Sequence, residues 1–335
     1  METKYIDTEK FSQKLRSKGI DLDSKKILMS NFKETKQNKD LTLPSNCNGF
    51  GRIHHFKSKG MNGFPLNPLP IVPAEKYLQR PLGEVVKVQV FQNAICSWRC
   101  WYCYVDFSLL SGDPKHSSFM TADELIDLYL KEEERCLIID LSGGQPDLVP
   151  ELSLWFADAL HKRGMSRDIF LWSDDNLSND YLWRYLSKEE LHRLASYQNY
   201  SRVGCFKGFD KKSFSFNTKA EPELFHTQFQ LMNRLIKEGF DVYGYITLTS
   251  PDDSNLKNKI ADLIDIIQNS VHPLFPLRTV PLQIFKFTPT ASRMNSEHER
   301  SIEIQKEAVL AWNEEISKRY SVTVSTKKIV DHIIN

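Results

Sequence analysis

The sequence predicts an α/β protein, a partial (β/α)6 TIM-like barrel with an N-terminal helical and irregular extension. Three observations predict it. From Glu84 onward, β-type runs alternate with helical patterns through six successive β–α units, which implies a parallel sheet covered by helices. The polar and glycine-bearing turns fall after the strands, at the edge where such folds carry their chemistry. With 335 residues, 41% hydrophobic and 26% charged, the chain has the length and ordinary composition of one large core. The expected division is an extension over 1–83 packed on the barrel, a core over 84–295, and a C-terminal helix and tail over 296–335.

Residues 1 to about 35 carry short amphipathic patterns, with Phe11 and Leu15 one turn apart and then Ile27 and Leu28, and read as helices packed on a larger body. Prolines at 44, 65, 68, 70, 73 and 81 and glycines at 49, 51, 60 and 63 make 36–83 an irregular stretch. Its Phe50, Ile53, Phe56, Phe64, Leu66 and Ile71 argue for an ordered arm over the core, serving as a cover or as a substrate wall. Val85 to Phe91 is a β-branched run. Thr121-Ala-Asp-Glu124 is a capping box opening a helix with Leu125, Leu128 and Tyr129 on one face. Strands are expected at 137–141, 169–172, 201–206, 240–249 and 281–287, and helices near 149–163, 178–197, 221–238, 253–268 and 297–319. Val322 to Val324 is read as a final strand. Right-handed crossovers then curl the sheet into a barrel or part-barrel.

Composition excludes several classes. The 44 basic and 43 acidic side chains leave no global charge to attract nucleic acid or an anionic membrane. Met1 to Lys14 is charged without an apolar run, unlike a secretory signal, and no segment approaches the roughly 20 apolar residues of a membrane span. The expectation is a cytoplasmic protein with reduced thiols, in which clustered cysteines mean metal or redox chemistry. Cys47, Cys136 and Cys205 are isolated and read as small buried hydrophobes.

Cys96-Ser-Trp-Arg-Cys100-Trp-Tyr-Cys103 places three thiols within eight residues, just after the first strand of the core. Three thiolates can hold three corners of an iron–sulfur cluster and leave the fourth open to a small molecule. Two other readings stand beside it. On a helix, spacings of four and three put the thiols on one face as inert buried groups. With His116 or His54 they make a zinc site of three cysteines and a histidine. After the second strand comes Ser142-Gly143-Gly144-Gln145-Pro146, in which glycines allow close approach of backbone to a ligand. Asp174-Asp175-Asn176 follows the third strand and Lys207 the fourth. Glu151, the Tyr243 to Thr249 strand, Gln283 and Lys286 are candidates for a substrate side.

The cysteine pattern, with aromatic Tyr102 before its last cysteine, resembles the cluster-binding loop of the radical S-adenosylmethionine (SAM) superfamily, and more loosely the glycyl-radical-enzyme activases within it. The resemblance spans roughly 84–290. It implies a four-iron four-sulfur cluster on Cys96, Cys100 and Cys103, with SAM chelating the fourth iron and cleaved on reduction to a 5′-deoxyadenosyl radical that takes hydrogen from a substrate. It further implies that Tyr102 packs on adenine, that Ser142, Gly143, Gly144 and Gln145 receive the SAM ammonium, and that Asp174, Asp175 and Lys207 lie near SAM. Gln145 stands where the superfamily usually has glutamate, and Cys205 where the activases have the aspartate of an Asp-x-Lys pattern. Flavodoxin or ferredoxin as electron donor, and a protein or peptide position as substrate, are implied as partners, with a nucleotide or small-metabolite substrate fitting nearly as well; no membrane and no nucleic acid partner is. The competing class is a non-enzymatic zinc or iron–sulfur scaffold, or a redox sensor, on the same cysteines.

Overall fold

The strands that carry the site run parallel because each is joined to the next by a helix, a connection that a hairpin cannot replace. In the computed structural model, which describes residues 5–57 and 67–334, the strands are β1 (Ile20–Asp21), β2 (Lys26–Ser30), β3 (Gly51–Lys57), β4 (Val85–Phe91), β5 (Ser117–Met120), β6 (Ile138–Leu141), β7 (Phe170–Asp175), β8 (Tyr200–Lys207), β9 (Val242–Thr247) and β10 (Thr279–Pro281). One sheet has the order β10-β9-β8-β7-β6-β4-β3. From β4 to β10 all pairings are parallel, and β3 joins antiparallel to β4 with Arg52 opposite Val90 and His54 opposite Val88. This sheet curls into a half-barrel.

Strand alternation sorts side chains to two faces. Val88, Ile138, Trp172, Val203, Cys205, Tyr243 and Tyr245 gather in an inner cluster, closed by Ile71 and Ala74 of the helix Ile71–Leu78 and by Ile329 and Val330 near the C-terminus. Leu141, Leu171, Phe206, Val242 and Ile246 pack outward against the helices. Each such fully buried side chain contributes about 1.5–3 kcal/mol. The helix Ala122–Leu130 starts at the expected capping box, with Thr121 and Glu124 bonded reciprocally. The region expected as one helix over 178–197 is two, Tyr181–Tyr185 and Lys188–Ser196, because Ser187 opens a second capping box with Glu190.

A smaller antiparallel sheet, β1-β2-β5, lies against the entry to the cysteine loop. Ser30 N–H donates to Gln92 O, Ala94 N–H to Leu28 O, Cys96 N–H to Leu110 O and Gly112 N–H to Ala94 O. Two expectations are corrected here. Residues 20–30 form a hairpin instead of a helix, since Ile27 to Ser30 are buried consecutively between two strands. The stretch 36–83 is not irregular throughout: Gly51–Lys57 is an edge strand with seven register partners on β4. The part of that arm holding Gly60, Gly63, Phe64, Pro65 and Leu66 lies outside the described residues, as do Met1 to Lys4 of the charged amino terminus. The last strand of the sheet stops at Pro281 instead of running to 287, leaving Phe285 and Phe287 46% exposed. Val322–Ser325 is a helical turn instead of a strand, with Val322 76% exposed. Among the described residues no helix is long and apolar enough to cross a membrane.

Candidate cofactor site

β4 delivers the chain to the carboxyl edge of the half-barrel, and the cysteine stretch that follows is a loop without helix. That removes the reading of three inert thiols on a helical face. A tight turn sets the second half of the loop, Cys103 N–H donating to Cys100 O at 3.1 Å. Trp101 Nε1 donates to Asn217 Oδ1 at 3.0 Å, and Trp98 packs edge-on against Phe214 at 5.4 Å, so the helix Lys211–Thr218 backs the loop. Arg293 holds the far end by donating to the carbonyls of Cys103 (2.8 Å) and Val105 (2.7 Å).

All three thiols are free; Cys96 and Cys100 are buried and Cys103 is half-buried. Burial first, then the neighbouring Cys100 and Cys103, pushes the Cys96 thiol up to about 12. Burial likewise raises Cys100, against the pull of Lys207. Such thiols ionise when a metal takes the place of the proton, the condition for ligation. Among the described residues no three His, Cys, Asp or Glu side chains converge tightly enough to grip one metal ion. A cluster makes a different demand, because its corners present separate iron atoms to separate thiolates. His54 lies against Phe56 and Tyr104, and the His116 carbonyl accepts from Asn31 N–H.

The turn after β6 docks on this loop through backbone and side chain alike. Gln145 N–H donates to Ile95 O at 2.8 Å, and Asn93 Nδ2 donates to Gln145 O at 2.9 Å. Gly143 has φ +85°, and a Cβ there would fall 2.5 Å from Gln92 Oε1 and 2.7 Å from Arg52 Nη2. A Cβ on Gly144 would strike the carbonyl oxygen of Asn93. Both glycines are therefore needed for close approach. Around them Gln92 Oε1, Asn93 Oδ1, Asp140 Oδ1 and Arg52 Nε are buried with no partner among the described residues. Ser142 is occupied, its Oγ donating to Asp140 Oδ2 at 2.8 Å.

Gln145 is fully committed to the protein. Its Oε1 accepts from Ser97 N–H (2.7 Å) and Ser97 Oγ (3.0 Å), and its Nε2 donates to Asp147 Oδ2 (3.0 Å) and Ser178 Oγ (2.6 Å). A backbone N–H can only donate, so the orientation of this amide is fixed by its partners.

On the inner face, Lys207 ends β8 at 7% exposure, its Nζ 5.9 Å from the Tyr102 ring centroid and without a hydrogen-bond or ion-pair partner among the described residues. Burial works against its charge, but Tyr102, Cys205, Cys100 and Cys96 outweigh that cost and hold it an ammonium. Tyr102 OH accepts from Thr247 Oγ1 at 3.2 Å. Asp174 is pushed up to about 6 by burial, with Lys207 and Arg52 pulling the other way. Asp140, 1% exposed, is raised by burial and then by Asp174. Asp174, on the neighbouring strand β7, shares the inner face with Lys207.

The structure separates the two aspartates of the expected turn. Asp175 faces outward, ion-paired with buried Arg202 and accepting from Leu177 N–H at 2.7 Å. It does not share the inner face with Asp174 and Lys207. Glu151 is also removed from any substrate side: it is buried in an ion pair with Arg16, Arg16 Nη1 donating to its Oε2 at 2.9 Å. Residues that the sequence does not single out complete the site: Arg52, Gln92, Asn93, Asp140 and Asp147. Asp140 and Asp147 flank the Gly-Gly turn, and that adjacency is a signal within the sequence. Arg52 comes from a strand whose place in the sheet depends on tertiary pairing.

No family model matches the chain. Over 209 residues it is 25% identical to the protein YfkA of Bacillus subtilis (strain 168), covering 58% of this chain and 52% of YfkA. Streptococcus suis SuiB bound to S-adenosylmethionine superposes with a TM-score of 0.39 at 16% identity, over 55% of this chain and 38% of SuiB. A second SuiB structure gives a TM-score of 0.38 at the same identity. The chain spans about half the length of YfkA and under two fifths of SuiB.

Proposed function

We propose that this chain is a radical SAM enzyme on a partial TIM-like barrel. The observation that carries the proposal is the pairing of two loops: three free thiols on one non-helical loop, and against it a Gly-Gly turn ringed by partnerless buried polar atoms. When bound, a four-iron four-sulfur cluster with SAM at its open corner would supply the electron that breaks a carbon–sulfur bond of SAM and so a radical able to take hydrogen from substrate. Cys96, Cys100 and Cys103 would hold the cluster. Gln92 Oε1, Asn93 Oδ1 and Asp140 Oδ1 are acceptors, and Arg52 Nε is a donor. Together they suit a group bearing both an ammonium and a carboxylate, as the methionyl end of SAM does. Lys207 keeps a positive charge beside Cys96 and Cys100, which favours their thiolates. Trp98, Trp101 and Tyr102 are buried around the loop and exclude water from it. Substrate would lie against the inner face near Asp174 and Cys205, an electron donor of the flavodoxin or ferredoxin kind would reach the cluster, and a protein or peptide position is the proposed substrate class.

The test is anaerobic reconstitution with iron and sulfide, then reduction in the presence of SAM and chromatography for 5′-deoxyadenosine. Formation in the parent chain, and its loss in Cys96→Ala, Cys100→Ala and Cys103→Ala, is expected. One equivalent of zinc, no visible absorbance and no cleavage would favour a zinc scaffold on the same cysteines.

A further inference from the structure

Gln145 stands where the resemblance expects glutamate, and its neighbours give a reason. Its Oε1 takes both donors of Ser97, the residue between Cys96 and Trp98, and its Nε2 gives a hydrogen bond to Asp147 Oδ2 at 3.0 Å. Asp147 is a buried hub: its Oδ1 accepts from Asn176 N–H at 3.3 Å and its Oδ2 from Asn179 Nδ2 at 3.0 Å, while Asn176 Nδ2 donates to Cys96 Sγ at 3.7 Å. The loops after β6 and β7 are thereby tied to the first cysteine.

We propose that Gln145 is a positioning residue that fixes the cysteine loop by bridging Ser97 to Asp147, and that Asp147 is what requires an amide at this position. The inference rests on the reading of the cysteine loop as a cluster site. The bridge needs an acceptor toward Ser97 and a donor toward Asp147, and among side chains of this length only glutamine presents both without taking up a proton. A glutamate would keep the bonds from Ser97 but set its second oxygen against the Asp147 carboxylate. Two carboxylate oxygens held at that distance must take up a proton between them or move apart. Moving apart releases Ser97 and shifts Cys96. Exchanging the two chemistries, with glutamate at 145 and asparagine at 147, restores a donor facing an acceptor, except that Asn179 Nδ2 then meets an amide that can no longer serve all its donors.

The experiment uses the full chain in four forms: the parent, Gln145→Glu, Asp147→Asn and the double variant. Each is reconstituted anaerobically and measured for cluster midpoint potential and for KM and kcat in reductive cleavage of SAM. Alkylation rates of Cys96 by iodoacetamide are measured in the unreconstituted chain. Gln145→Glu is expected to slow turnover about tenfold or more with a smaller change in KM, to shift the potential, and to speed alkylation of Cys96 about tenfold, the scale of a lost buried hydrogen bond. The double variant is expected to recover most of each loss, a rescue that a merely space-filling glutamine would not produce. Parental values for Gln145→Glu in all of these measurements, or a double variant no better than Gln145→Glu, would overturn the proposal. Were the parent to bind no cluster, the alkylation rates alone would still decide whether the bridge holds the loop, so failure of the enzyme reading and failure of this one are told apart.

Discussion

Asp174 and Asp175 are joined by one peptide bond and do different work, because a strand sends successive side chains to opposite faces. Asp175 meets Arg202 on the helix-covered side, where Arg202 Nε and Nη1 already lack partners among the described residues. Taking the carboxylate away leaves a guanidinium buried without its counter-charge. Asp175→Ala is therefore expected to cost about 3–5 kcal/mol in urea unfolding. Asp174 sits with Asp140 and Cys205 on the inner face, and burial already disfavours its charged form. Asp174→Ala is expected to leave stability within about 1 kcal/mol while lowering turnover in the reconstituted protein. A reversed order of the two unfolding midpoints would show that the faces have been exchanged.

At the scale of elements, the N-terminal helix Thr8–Gly19 is fastened at its start by Thr8, which donates to Glu221, and by Glu9, which pairs with Arg184, and near its end by a buried ion pair. Arg16 reaches Glu151 at the start of the helix Glu151–Lys162, donates to Leu148 O at 3.0 Å and lies 3.6 Å over the Tyr185 ring. Glu151→Ala is expected to destabilise by about 3–5 kcal/mol and to open this helix to limited proteolysis, whereas Arg16→Met with Glu151→Met recovers most of that loss. A double variant as unstable as the single one would show that packing, not charge, fastens the helix. What a sequence can foretell follows from range. The capping box at Thr121 and Glu124 and the alternation after Glu84 are local patterns, and the structure carries both. The cysteine loop is legible because its spacing is local. β3 is hidden because its pairing with β4 joins residues from Lys57 with Val85 to Gly51 with Phe91, far apart in the chain and set among prolines and glycines that argue against a strand. Arg52 is hidden with it. Asp175 and Glu151 take their expected roles from their place in the chain, and their partners Arg202 and Arg16 are visible only once the elements pack. The bond from Gln145 to Ser97 joins residues 48 apart and cannot be read from either motif alone.

For the whole molecule, a net charge of +1 conceals a concentration of buried carboxylates at one edge of the half-barrel. Asp140, Asp147 and Asp174 are all raised, each by burial first; Asp147 is pushed up to about 7, with Asp175 adding to the shift. A carboxyl raised on folding binds a proton in the native chain at pH values where the unfolded chain has released it. Its contribution to stability is therefore present at low pH and lost as pH rises, over the window between the ordinary carboxylate value and about 7 for Asp147. His54 opposes this. Burial, then Arg52, lowers its pKa to about 4, so the unfolded chain takes a proton that the native chain refuses, and stability falls as pH drops below the ordinary histidine range. The slope for the parent is a difference of these terms, and a single substitution isolates one of them. At about 1.36 kcal/mol per unit, Asp147 gives roughly 2 kcal/mol between pH 8 and pH 5.5. Urea unfolding of the cluster-free chain at these two pH values, with and without Asp147→Asn, should show the variant gaining about 2 kcal/mol less on acidification. The amide cannot take up the proton, whereas His54 titrates in both proteins. An identical pH response in parent and variant would mean that Asp147 is ionised in the native chain, with Arg202 near enough to compensate its charge.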